Sequence, residues 1–191
     1  MTTGRMEAFS DGVIAILITV MVLELRVPPH STWAALRPVA PLLLSYLMSF
    51  VYLGIYWNNH HHMLQAARHV DGRILWANML LLFWLSLIPF VTAWAGETHF
   101  AMVPVASYGV VMLLAGCAYY LLSRSLIARH GSESPLARAM GSDFKGRVSI
   151  ALYVVAVGVA FVAPYASCAI YVGVAVMWIV PDRRIEKVLA E

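Results

Sequence analysis

Long apolar runs alternate with short polar breaks along this chain, and the pattern repeats six times. An α-helix needs about 20 apolar residues to cross a hydrocarbon core of about 30 Å. The first run covers about Met6 to Leu25 and stops at Pro28-Pro29, a pair that cannot continue a helix. The second runs from about Trp33 to Trp57, and the third from about Ile74 to Ala95 with Pro89 in its outer part. The fourth covers about Met102 to Leu122. The fifth and sixth, about Val148 to Ala163 and Ala166 to Val180, are separated only by Pro164-Tyr165, which predicts a tight helical hairpin. The expected fold is an all-α membrane protein with six transmembrane helices in one domain, residues 1–191.

Composition agrees with this reading. Apolar residues make up 61% of the chain and charged residues 12%, about half the share of a soluble domain. The net charge of +3 does not imply nucleic acid, because the basic residues lie between apolar runs rather than in a patch interleaved with aromatics. Cys117 and Cys168 both fall inside apolar runs, where free thiols are common, so neither a disulfide nor a metal site is expected from them. The first run is read as a retained helix rather than a signal peptide, since Glu7 and Asp11 stand where a basic leader belongs.

The cations also orient the chain. With six spans, Arg5, Arg68, Arg73, Arg124, Arg129, Arg138, Lys145, Arg147, Arg183, Arg184 and Lys187 share one side, and only Arg26 and Arg37 fall on the other. The positive-inside rule then places both termini in the cytoplasm. Trp33, Trp57, Trp94 and Trp178 lie near run ends, as an aromatic belt requires. The longest polar segment, Ser123 to Gly146, has room for a short interfacial helix. No internal repeat is evident, so symmetry about any pore has to come from oligomerisation.

The first run carries the unusual chemistry, because charge within a membrane helix is costly and marks function. At about 100° per residue, Arg5, Phe9, Gly12, Ile16, Val20 and Leu23 share one stripe with Thr19 at its edge, while Glu7 and Asp11 lie opposite. Asp11 should therefore point into the protein. Its candidate partners are Trp57, Asn58, Asn59, His60, His61 and His62 at the end of the second helix, with Asp71, Arg73 and Asn78 at the start of the third. A buried network of Asp11 with a histidine and Asn78 is favoured over Asp11 as a direct ion ligand. Three adjacent histidines diverge around a helix and cannot all face one ion, so no metal is expected there and hydrogen bonding near the headgroups is the better reading.

The segment Arg5-Met-Glu-Ala-Phe9-Ser10-Asp11-Gly12 resembles the R-x-x-x-F-S-D signature of the transmembrane protein 175 potassium channels. Tyr56-Trp57-x-x-His60-His61, Asp71, Leu75-Trp76-x-Asn78 and Pro89-Phe90 follow in the family's order. The resemblance implies a homotetrameric, potassium-permeable channel in the plasma membrane of a prokaryote, needing no cofactor beyond the permeant ion. It implies that the first helix lines a central pore, with Ile16 at the narrowest hydrophobic ring and Thr19, Val20 and Leu23 continuing the lining. The residues themselves are expected to form a structural polar network of Arg5, Ser10, Asp11, Trp57, His60, His61, Asp71 and Asn78. The chain has no Thr-Val-Gly-Tyr-Gly segment, so an apolar ring gating by dewetting takes the place of a carbonyl filter. The alternative is a secondary transporter or proton pathway through Asp11 and the histidines. An enzyme is not supported, because no nucleophile–base pair, metal set or cofactor motif is present.

Overall fold

A computed structural model describes residues 3–67, 69–131, 134, 137–138 and 143–179. Val180, Arg68, Arg183, Arg184, Lys187 and most of the segment from 132 to 142 lie outside these residues. The molecule is an all-α bundle of six spans. Helix α1 runs over Thr3–Leu23. The second span starts as a 3-10 turn over Trp33–Val39 and continues as α2, Ala40–Gln65, with Pro41 in its first turn, where a missing N–H costs nothing. The third span is broken into α3, Gly72–Ser86, and α4, Ile88–Glu97. Helix α5 is Met102–His130, α6 is Phe144–Ala160 and α7 is Pro164–Ile179.

Among the described residues, four of the spans are long and apolar enough to cross a membrane: α1, the second span, α3 with α4, and α5. Helices α6 and α7, with 17 and 16 residues, measure about 25 Å each. They form the hairpin the sequence predicts, turning at Phe161–Ala163 into Pro164.

Three boundaries differ from the sequence-based expectation. Helix α2 continues eight residues past Trp57, which places His60, His61 and His62 within a helix rather than at its end. Helix α5 continues to His130, so the polar start of the Ser123–Gly146 segment is helical. The third span breaks at Leu87, because Pro89 has no N–H to donate back to the carbonyl one turn earlier.

Two groups of helices share one core. Helix α1 packs against α2, α3 and α4, while α5 packs on α3 and α4 as well as on α6 and α7, and α7 reaches α2. Between the groups lie the buried rings of Tyr52, Tyr108, Tyr153 and Tyr171. Three of their hydroxyls bond across helices: Tyr52 donates to the Tyr171 carbonyl at 2.5 Å, Tyr171 to the Val105 carbonyl at 3.1 Å, and the Tyr108 hydroxyl lies 3.1 Å from Ser49 Oγ. Backbones approach most closely where glycine allows it. A Cβ on Gly96 of α4 would lie 2.6 Å from Leu42 Cα of α2.

Candidate functional site

Helix α1 divides into two faces. Met6, Ser10, Ile14, Leu17 and Met21 are buried, at spacings of three and four that make a single inward stripe. Phe9, Gly12, Ile16, Thr19, Val20 and Leu23 lie on the opposite, exposed side, with Ile16 60% and Leu23 79% accessible on the protomer. Arg5 lies on this exposed side as well. The helical wheel thus separates the two faces as they stand in the molecule.

The chemistry of the exposed face is narrow. It is apolar except for Arg5 at one end and Thr19 within the span. The Thr19 hydroxyl donates back to its own helix, to the carbonyls of Ala15 at 3.1 Å and Ile16 at 3.0 Å. Its proton is thereby committed to the helix. The oxygen's lone pairs remain available to a cation or water in front of it.

Ser10 opens a polar chain on the buried face. His60 Nε2 lies 2.8 Å from Asn78 Oδ1, and the Asn78 amide donates to Ser10 Oγ at 2.9 Å. Ser10 in turn donates to the Met6 carbonyl at 2.8 Å. All three side chains are fully buried, so the chain joins α1, α2 and α3 where no water competes.

Ser10, and not Asp11, therefore takes the place expected beside Asn78. One residue turns a helix by about 100°, and only Ser10 belongs to the stripe that faces α3. Asp11 is half-buried, and its Oδ1 is shielded from solvent and meets no hydrogen-bond donor among the described residues. Within 4.8 Å of it lie ligand atoms of Glu7, one turn earlier on α1, and of His61 on α2. His61 Nδ1 is 2.8 Å from Glu7 Oε1, and its ring stacks on Trp57 at 5.7 Å between centroids.

Asp71 serves the start of α3, and its Oδ2 also lies 3.9 Å from Arg129 Nε of α5. Its carboxylate caps α3, accepting from the backbone N–H groups of Arg73 and Ile74 at 3.0 Å each. Glu7 was not among the expected network residues, although its i,i+4 relation to Asp11 puts both carboxylates on one face. That signal was readable. What it lacked was the course of α2, which brings His61 alongside. At the other end of the bundle Arg26 Nη2 meets Glu97 Oε1 at 2.7 Å, tying the loop after α1 to α4.

The pattern of the family described as the endosomal/lysosomal potassium channel TMEM175 matches residues 5–89, the part of the chain that holds α1, α2, α3 and the polar chain between them. A potassium channel of Chryseobacterium sp. (strain P1-3) is 52% identical over 191 residues, covering 100% of both chains. The chain belongs to the TMEM175 family. A second relative, a potassium channel of Streptomyces collinus, is 35% identical over 179 residues and 84% of each chain. The crystal structure of a lysosomal potassium-selective TMEM175 homologue from Chamaesiphon minutus superposes with a TM-score of 0.82. It covers 94% of this chain and 97% of that one at 29% identity. These TMEM175 relatives are named as channels and not as enzymes.

Proposed function

We propose that four copies of the chain enclose a central pore lined by α1, through which K+ passes passively. The observation that carries this reading is the exposed face of α1. A stripe through Phe9, Gly12, Ile16, Thr19, Val20 and Leu23 stands exposed among the described residues, while the opposite stripe is packed and hydrogen-bonded. The names of the two potassium-channel relatives and of the potassium-selective crystal structure support K+ as the ion.

Within the pore, Ile16 forms the narrowest ring and holds it shut by excluding water, with no carbonyl filter. Thr19 stands one turn beyond, where its oxygen can replace part of a shed hydration shell. Val20 and Leu23 continue the wall. The group of Ser10, His60 and Asn78 holds α1 against α2 and α3 without touching the ion. The protein sits in the plasma membrane of a prokaryote with both termini in the cytoplasm, an orientation that its cation distribution supports.

A transporter or proton pathway through Asp11 and the histidines fits less well. The polar chain passes through the Asn78 amide, and an amide relays no proton under ordinary conditions.

K+ flux into liposomes that contain the purified protein tests the proposal. A cation flux collapsed by an opposing voltage and not saturating with K+ is expected. No K+ flux, under conditions where a control channel conducts, overturns it.

A further inference from the structure

Where α1 begins, Glu7 and Asp11 stand one turn apart and His61 faces them from α2. One ligand atom from each lies within 4.8 Å of the other two, and all three side chains are half-buried. The imidazole is held in position. It is stacked on Trp57 with the planes 16° apart, and its Nε2 lies 2.8 Å from the Gln65 amide nitrogen. Its Nδ1 is turned to Glu7 Oε1 at 2.8 Å.

The charges in this cluster do not balance. Two carboxylates at such a separation repel, and one imidazole adds at most a single positive charge. The shielded Asp11 Oδ1 also lacks a donor among the described residues, which is costly for a carboxylate oxygen out of water. A bound cation relieves the repulsion and satisfies the oxygen together.

We propose that Glu7, Asp11 and His61 form a divalent metal site of the zinc class that bridges α1 and α2. One imidazole nitrogen with two carboxylate oxygens suits a borderline ion, whereas Mg2+ and Ca2+ favour oxygen ligands alone. Metal–ligand bonds of about 2.0–2.2 Å set neighbouring ligands about 3–3.5 Å apart. Side-chain rotation closes the cluster to that size. Turning the Gln65 amide over lets its oxygen accept from His61 Nε2–H, which leaves the Nδ1 lone pair for the ion. That is the orienting contact a metal-bound histidine ordinarily has. Half-burial leaves an entry path and a fourth position for water. The site faces away from the Ile16 stripe, so it does not depend on what α1 conducts.

The test is calorimetric titration of Zn2+ into the full-length, tag-free protein in detergent micelles. Saturable binding of one ion per chain is expected. Glu7→Gln and His61→Gln should each abolish it, and Gln65→Ala should weaken it about tenfold. His30→Gln, at an exposed histidine near the opposite end of the bundle, should leave it unchanged. Elution and melting like the parent protein show that each variant folds. If one of the two ligand variants fails to fold, the other decides. No saturable Zn2+ binding in the parent, or undiminished binding in a folded ligand variant, overturns the site. Equal affinity for Mg2+ overturns the metal class.

Discussion

Asn78 donates its amide to Ser10 Oγ at 2.9 Å across 68 residues of sequence, and this bond is where the third span takes hold of the first. The same amide accepts from His60 through its oxygen at 2.8 Å, so one side chain on α3 joins three helices. No other residue type of that size both donates and accepts in this geometry.

Asn78→Leu keeps the volume and removes both functions. His60 then keeps a buried ring N–H without an acceptor, and the fold should lose about 1–3 kcal/mol. Thermal unfolding in detergent measures the loss. The double variant His60→Phe/Asn78→Leu should recover most of it, since replacing both partners by apolar groups is nearly neutral. A single variant that melts with the parent protein would show that the bond contributes nothing.

Ile16→Asn places a polar side chain at the proposed ring. Water should then occupy the constriction in the resting state, raising basal flux and lowering the preference for K+ over Na+. Liposome flux with each cation measures both quantities. Unchanged values would remove Ile16 from its role.

Thr19→Val keeps the shape and discards the oxygen. The hydroxyl's bonds to Ala15 and Ile16 stay within one helix and on its exposed face, so the fold should change by less than about 0.5 kcal/mol. Flux should persist while K+ over Na+ selectivity falls. Bi-ionic potentials recorded in planar bilayers would detect the change, and an unaltered reversal potential contradicts it.

Gly96→Ala adds a methyl group 2.5 Å from Ser45 Oγ and 2.6 Å from Leu42 Cα, and the backbone atom cannot yield. A loss of about 1–3 kcal/mol is expected from overpacking. Gly12→Ala is the matched control. Its Cβ meets nothing within 4 Å, and alanine is favoured over glycine in a helix by up to about 1 kcal/mol. The two melting temperatures should therefore move in opposite directions.

Arg26→Ala breaks the ion pair with Glu97, which is exposed on both sides. The cost should stay below about 1 kcal/mol and disappear in high salt. Melting curves at low and high ionic strength separate this from a packing effect.

How much could be read in advance follows from the range of each signal. The two faces of α1 were legible because a 3.6-residue period acts within one element, and Ile16 lies on the exposed face with Phe9 and Val20, as the wheel groups them. The six spans were legible for the same reason, in the lengths of their apolar runs. The exchange of Ser10 for Asp11 beside Asn78 was not, because it depends on how α3 is rotated against α1. The approach of Glu7 to His61 depends on α2 running on to Gln65, and five polar residues from Asn58 to His62 interrupt the apolar run before Met63 and Leu64 resume it. The break at Leu87 was half-visible: Pro89 announced a disturbance, but not whether the helix would bend or restart.

The polar chain also sets an order of events during synthesis. Ser10 leaves the ribosome 68 residues ahead of Asn78, a delay of about 3–14 s at ordinary translation rates of roughly 5–20 residues per second. Through that interval the first span has its apolar length but not its polar partner. Its final rotation in the bilayer is therefore completed only when the third span arrives, and a nascent chain cut short before Asn78 has a first helix held by the second span alone.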